Sequence, residues 1–254
     1  MELSESLVIL GVLGAFLLFI YLYVASIRKV LVTVGFTESE TSTILLLTLM
    51  LGWVTIPVFP YGGWWVGLSV GGAIIPILLC VKFFRSGRVG VAEGLIGVAV
   101  VAYLAYIVTR AEEGVGIVAE IPMAFVPALA AGLYSISVFW VDIRKAAPLA
   151  YVSGVLGTLV GADVFRLGEM LAFEGPGEDY AVLSIGGANI FDMVYLTGII
   201  AVGIAMTVLW VKTRRDRLGF GVVVSEFEAG AQGLPYARDF EPARKLPVRK
   251  GKLE

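Results

Sequence analysis

Two aspartates lie inside apolar stretches of this 254-residue chain, where a carboxylate is costly. Asp163 falls in LVGADVF and Asp192 in GGANIFD, and Asn189, the chain's single asparagine, precedes Asp192 by one helical turn. An aspartate near the middle of a bilayer costs about 2.5 kcal/mol or more, so it persists where it faces a bundle interior or a water-filled cavity. We interpret these residues as a candidate site for a small solute, a proton or a cation.

Both aspartates are also candidate catalytic residues. Two nearby carboxyl groups repel each other, so one of them binds a proton more readily, and such a pair can activate water and protonate an amide. The GAD sequence ending at Asp163 differs from the GxGD sequence of intramembrane aspartyl proteases. Arg166 follows Asp163 by three residues and is included among the candidate binding residues. It also offers a structural alternative, because it can form an internal ion pair with Asp163.

The pair Gly186-Gly187 stands just before Asn189 and Asp192. One interpretation is a helix break, after which the N-terminus of a half-helix presents free N–H groups to the site. The other is close packing of two helices, for which small residues are suited in membranes. The sequence leaves both open, and we include the two glycines among the candidate binding residues.

Composition excludes several kinds of chemistry. The chain has no histidine, which rules out histidine triads, histidine metal sites and histidine proton shuttles. Its single cysteine, Cys80, lies in an apolar stretch and cannot form an intrachain disulfide or a cysteine metal cluster. We therefore expect no cofactor and no metal site, and chemistry restricted to carboxylates, lysine, arginine, hydroxyls and the backbone.

Hydropathy predicts an all-α polytopic membrane protein. The chain is 58% hydrophobic and only 16% charged, with a mean hydropathy of +0.90. Apolar runs of about 20 residues, enough for a helix to cross a bilayer, recur along it. The predicted transmembrane domain, residues 1–211, has seven spans at approximately 6–27, 43–59, 64–84, 90–110, 119–141, 147–171 and 181–211.

Basic residues predict the orientation. With seven spans, the lysines and arginines of the first, third and fifth connections and those after the last span all fall on one side. The positive-inside rule then puts the N-terminus outside and the C-terminus in the cytoplasm. Residues 212–254 are charged and contain three prolines, so we expect a mostly flexible cytoplasmic tail with one short β-like run, GFGVVVSEF.

An internal repeat is indicated by two similar segments, LSVGGAIIP (68–76) and LSIGGANIF (183–191). They lie four predicted spans apart and so cross the membrane in the same direction. This predicts a 3+1+3 parallel repeat, with halves at about 6–84 and 119–211 and a linker span at 90–110. A weaker match joins LGWVTIPVF (51–59) to LGTLVGADVF (156–165). The aspartates occur only in the second half.

Four segments in order resemble domain-of-unknown-function family 1614, a family of bacterial and archaeal multi-span membrane proteins. They are SVGGAIIP, GVGIVAEIP, PLAYVSGVLGTLVGADV and SIGGANIFDMVYLTGIIAV, within roughly residues 45–205. The family's last segment reads more like GGAGTFDGIF, so Asn189 and Met193 depart from it, whereas Gly186, Gly187 and Asp192 fit. The resemblance implies a multi-span membrane fold and no particular activity.

Three functions remain open at this point. The first is a transporter or channel for a small solute or ion, with a midplane carboxylate site. The second is an aspartate-pair intramembrane peptidase, and the third is a non-catalytic membrane scaffold. In each case we expect a multi-pass protein of the cell membrane surrounded by lipid, without a nucleic-acid partner. A homo-oligomer is left open.

Overall fold

A computed structural model describes residues 3–140, 142–173, 181–187 and 193–232. Seven helical segments make up most of these residues. In chain order they are α1 (Leu3–Thr33), α2 (Glu38–Leu51), the π-helical turn π1 (Val70–Ile74) continuing into α3 (Ile75–Arg85), α4 (Val91–Val108), a 3-10 turn (Met123–Phe125) continuing into α5 (Val126–Val138), α6 (Ile143–Thr158) with the π-helical turn π2 (Leu159–Val164) and α7 (Leu167–Ala172), and α8 (Met193–Gln232).

The length and apolar composition of the helices identify this chain as a membrane protein. Four segments of the described residues are long and apolar enough to cross a bilayer, and the other helical segments are shorter. Large apolar side chains are exposed along the flanks of the bundle, for example Leu10, Phe16 and Leu22 of α1. Lipid accommodates such a surface, whereas water does not. The predicted count of seven helices fits. The four long segments are 10–33, 91–108, 145–172 and 193–212.

Two short sheets correct the all-α prediction. β1 (Thr55–Tyr61) and β2 (Trp64–Ser69) form an antiparallel hairpin, and β5 (Ala181–Ile185) pairs with β2 in parallel. β3 (Thr109–Glu112) and β4 (Gly116–Ala119) form a second hairpin. The second, third and seventh predicted spans, 43–59, 64–84 and 181–211, are therefore not continuous helices, since each includes at least five strand residues. The fourth and fifth spans, 90–110 and 119–141, overlap a strand only at one end.

The first hairpin has local causes in the sequence. Gly62 and Gly63 connect the strands with φ values of +56° and +84°, the backbone that a two-residue hairpin turn of type I′ requires. Pro57 and Pro60 lie on β1, an edge strand, where a missing N–H disrupts no inner ladder. Because residues 156–165 are helical in contrast to β1, the weaker match between 51–59 and 156–165 does not extend the repeat.

α6 is the central helix of the bundle. It packs against α3, α4 and α5, and small residues bring it close to its neighbours. A Cβ added to Gly154 would lie 3.2 Å from the Cα of Gly198 on α8, and one added to Gly157 would lie 2.5 Å from Val101 on α4. In lipid no hydrophobic effect drives helices together, so close packing at Gly and Ala residues holds these helices to one another.

Charged residues gather at two opposite ends of the bundle. At the end we call the basic end, Arg28 pairs with Glu38, Lys82 pairs with Glu40, and the Arg88 guanidinium donates to the carbonyl of Gly35. Successive helices run in opposite directions between the two ends of the bundle. Both hairpins therefore lie at the other end, which we call the hairpin end. α1 therefore begins at the hairpin end and finishes at the basic end.

The chain divides into two compact units, residues 1–209 and 210–254. α8 runs to Gln232, so the GFGVVVSEF segment at 219–227, expected to be β-like, is helical. The rest of the predicted tail, residues 233–254, lies outside the described residues.

Candidate functional site

The two similar segments of the sequence lie side by side in the structure. β2 and β5 run in parallel, with Gly67 opposite Ser184 and Leu68 opposite Ile185. β5 leads directly into Gly186-Gly187, and β2 leads through Val70 into Gly71-Gly72. The backbones touch beyond the strands: a Cβ added to Gly72 would lie 1.9 Å from the carbonyl oxygen of Gly186. Only glycine at both positions allows this approach. We call this place the strand junction.

Asp163 reaches the strand junction from π2. Its Oδ2 accepts a hydrogen bond from the backbone N–H of Gly186 over 2.7 Å, and the side chain is half-buried. Gly186 has φ +70°, a conformation that favours glycine. π-helical turns are rare and often occur at functional sites, because the wider turn redirects a side chain. Asp163 therefore joins π2 to the point where β5 ends.

Hydroxyl groups complete the strand junction. The Thr55 and Ser184 hydroxyls are hydrogen-bonded to each other at 2.9 Å. The Ser69 Oγ accepts from the N–H of Gly72 over 3.2 Å and caps π1. Together with Asp163 these groups supply only oxygen atoms, which suit a hard cation, a proton or a hydrogen-bonding solute.

Arg166 lies beside the strand junction with contacts of its own. Its guanidinium forms an ion pair with Glu169 at 2.5 Å and donates to the carbonyls of Tyr106 and Thr109 at 2.6 Å each. It also lies over the Tyr106 ring, 4.0 Å from the centroid. Because these carbonyls close α4, Arg166 acts as a cap of that helix. The ion pair that the structure shows for Arg166 is therefore the one with Glu169.

The depth of Asp163 follows from its neighbours on π2. A Cβ added to Gly161 would lie 2.1 Å from the Ala102 carbonyl of α4, while Arg166 contacts Tyr106 and Thr109 at the end of α4. Asp163 thus lies level with the last turns of α4, nearer the hairpin end than the middle of the bundle. Its depth near the middle of the bilayer stays a prediction.

The remaining candidates are only partly within the described residues. Gly187 is exposed and follows Gly186 at the end of β5, so the chain does break at the predicted glycine pair, with a strand before it and α8 from Met193 onward. Asn189 and Asp192 lie outside the described residues. The carboxyl pair of Asp163 and Asp192, on which the peptidase hypothesis depends, therefore stays a prediction.

Sequence reasoning missed the hydroxyls of Thr55, Ser69 and Ser184. One local signal was available. PYGGWW places a Gly-Gly pair between β-forming residues, which is the pattern of a tight hairpin. A hairpin there brings the end of β2, at Ser69, back into the bundle. The parallel pairing of β2 with β5 had no local signal, because it joins residues far apart in the chain.

The basic end carries a second polar cluster around Glu40. Thr37 caps α2 in a capping box with Glu40, whose carboxylate also accepts from Lys82 Nζ at 2.7 Å. The hydrogen bond from Lys82, followed by that from the Thr37 backbone, lowers the pKa of Glu40 from 4.5 to about 2. This cluster holds α1, α2 and α3 together at the basic end.

Two cavities are also at the basic end, away from the strand junction. One, of about 610 Å³, lies between α1 and α8 and has mostly apolar walls with Lys29 among them. The other, of about 560 Å³, is lined by polar groups that include Arg88 and Lys145. Neither contains Asp163, so the candidate site rests on hydrogen-bonding geometry and backbone irregularity.

Comparison with known proteins identifies the family of this chain. No curated protein and no solved structure matches the chain significantly. A family model described as "Protein of unknown function (DUF1614)" matches residues 17–204, most of the chain and all of the strand junction. The description of that family names no activity. The chain, a mostly helical membrane protein with a carboxylate and hydroxyl groups at a strand junction, belongs to the DUF1614 family.

Proposed function

We propose that this chain is a multi-pass protein of the cell membrane that transports a small solute or ion through the strand junction, with Asp163 as the binding carboxylate. The observation that carries the proposal is the hydrogen bond from the Gly186 N–H to Asp163 Oδ2 at a break in the helical bundle. The ligand class is a proton or another cation, because the junction supplies a carboxylate and hydroxyl oxygens.

Backbone irregularity supports this proposal. Lipid offers no hydrogen bonds, so non-helical backbone inside a membrane domain is tolerated where protein buries it or where it lines a water-filled cavity. Here two strands lead into the bundle at glycine pairs, and two helices contain π-helical turns, π1 and π2. Discontinuous helices of this kind form the ion and substrate sites of many secondary transporters.

We also propose the 3+1+3 repeat and the predicted orientation. The supporting feature is local: in each half a strand, a Gly-Gly pair and a helix follow one another, as β2, π1 and α3 and as β5 and α8. α4 then serves as the linker between halves. The basic end faces the cytoplasm by the positive-inside rule, which leaves the N-terminus outside.

The test is flux into proteoliposomes that contain the full chain. Proton flux is followed with a pH-sensitive dye inside the vesicles, and sodium flux with a radioactive tracer. We expect Asp163→Asn to lower the carried flux at least about tenfold, since it removes the charge but keeps an oxygen that accepts from Gly186. Glu169→Gln is the matched control, because it neutralises an exposed carboxylate on α7, the helix that follows π2.

Two results would contradict the proposal. Wild-type flux of both ions equal to that of empty vesicles excludes the stated ligand class. Full flux in Asp163→Asn excludes the carboxylate as its site. Asp163→Ala provides a folding comparison: it leaves the Gly186 N–H without this acceptor, so it should be less stable than Asp163→Asn by about 1–3 kcal/mol.

A further inference from the structure

Five buried hydroxyl groups in the bundle have no hydrogen-bond partner among the described residues. One belongs to Ser153 and faces Gly97 on α4. The other four belong to Thr41, Tyr151, Thr158 and Tyr195, each at most 1% exposed. A buried hydroxyl without a partner is costly, and native proteins usually satisfy such groups with ordered water. These four groups, which we call the hydroxyl row, therefore point to a ligand that can both donate and accept hydrogen bonds.

The hydroxyl row follows the helix axes. On α6, Tyr151 and Thr158 are seven residues apart, which puts them on one face about 10 Å from each other. On α2 the same spacing separates Thr41 from Thr48, whose hydroxyl lies near that of Tyr195 but donates to the Ile44 carbonyl at 2.8 Å. Tyr195 in turn lies close to Tyr151. Tyr151, Tyr195 and Thr48 thus lie near one another, and Thr158 and Thr41 follow along the same faces of α6 and α2.

Each end of the hydroxyl row meets a charged site already described. Thr158 is the last residue of α6 and leads directly into π2, which contains Asp163. Thr41 follows Glu40, which pairs with Lys82 at the basic end. The row therefore spans the interval between the strand junction and the basic end.

We propose that the hydroxyl row binds a file of internal water molecules that conducts protons between Asp163 and the basic end. Each oxygen along the file accepts a hydrogen on one side and releases one on the other, so no other bond changes. The transport role deepens the proposed function and rests on it, whereas water binding does not.

Water binding is tested by radiolytic hydroxyl-radical labelling of the full wild-type chain in lipid nanodiscs, read by mass spectrometry. Radicals form from water in place, so a buried side chain is modified quickly only where water contacts it. We expect rapid labelling of Tyr151 and Tyr195 despite their burial. Background labelling of both tyrosines would overturn the proposal, and this result needs no variant.

Variants then locate the water. The double change Thr41→Val and Thr158→Val should lower labelling of both tyrosines several-fold, because it removes the ends of the hydroxyl row. Ser153→Ala is the matched control: its hydroxyl is also buried on α6, but it faces Gly97 on α4. Equal labelling in the double variant and in wild type would contradict the row as the water's position.

Proton flux in proteoliposomes separates this inference from the proposed function. We expect Tyr195→Phe to lower proton flux at least about tenfold, since relays of this kind depend on each hydrogen-bonding group. Labelled tyrosines without wild-type flux would support the water file and refute transport. Flux with unlabelled tyrosines would refute the water file and leave transport standing.

Discussion

Gly72 and Gly186 are in backbone contact, so close that a methyl group on either one would overlap the other's peptide. This contact joins the ends of two parallel strands that come from distant parts of the chain, and the N–H of Gly186 then reaches Asp163. The polar site therefore depends on two glycines more than on any charged pair.

Gly186→Ala should destabilise the fold by about 2 kcal/mol or more. A residue with a Cβ pays roughly 1–2 kcal/mol at this positive φ, and the new Cβ would lie 2.6 Å from the Gly72 carbonyl carbon. The measurement is the midpoint of thermal unfolding in detergent. Gly203→Ala is the control on α8, where a Cβ meets open space and a helical alanine is favoured by about 0.5–1 kcal/mol. Equal effects of the two changes would show that the Gly72–Gly186 contact is not a constraint.

Arg166→Met should destabilise the protein by about 2–3 kcal/mol. The change removes charge-assisted hydrogen bonds to the Tyr106 and Thr109 carbonyls, and Arg166 is only 14% exposed, so water replaces them poorly. Arg110→Met is the control, because its pairs with Glu112 and Glu120 are exposed and such pairs contribute about 0–1 kcal/mol. The measurement is the thermal unfolding of both variants. A smaller loss of stability in Arg166→Met than in Arg110→Met would contradict the capping role.

Glu40→Gln should change the pH dependence of stability at the acid side. The pKa of Glu40 is lowered from 4.5 to about 2 in the folded chain, so ionised Glu40 stabilises the fold at pH values above about 4.5. That contribution is lost as the pH falls from 4.5 to 2. The difference in unfolding temperature between wild type and the variant should therefore be constant above pH 5 and shrink towards pH 2. A difference that is the same at pH 2 and pH 7 would show that Lys82 and Thr37 do not act on the Glu40 charge.

The sequence by itself determined the class of the protein and the candidate region of its site. Hydropathy and apolar run length predict membrane helices because lipid requires about 20 apolar residues per crossing, and seven helical segments fit that prediction. Four separate segments gave the family, which the match over residues 17–204 confirms. Asp163, Gly186 and Gly187 were identified because a carboxylate and a glycine pair are unusual in apolar sequence.

Only the tertiary structure decided how these residues meet. Apolar strands and apolar helices have the same hydropathy, so the residues of β1, β2 and β5 were predicted as parts of spans. Parallel pairing of β2 with β5 joins residues more than 100 positions apart, and no local pattern encodes it. The sequence also leaves the ion-pair partner of Arg166 open, because helical spacing allows either Asp163 or Glu169. In the structure, two carbonyls at the end of α4 hold the Arg166 guanidinium beside Glu169.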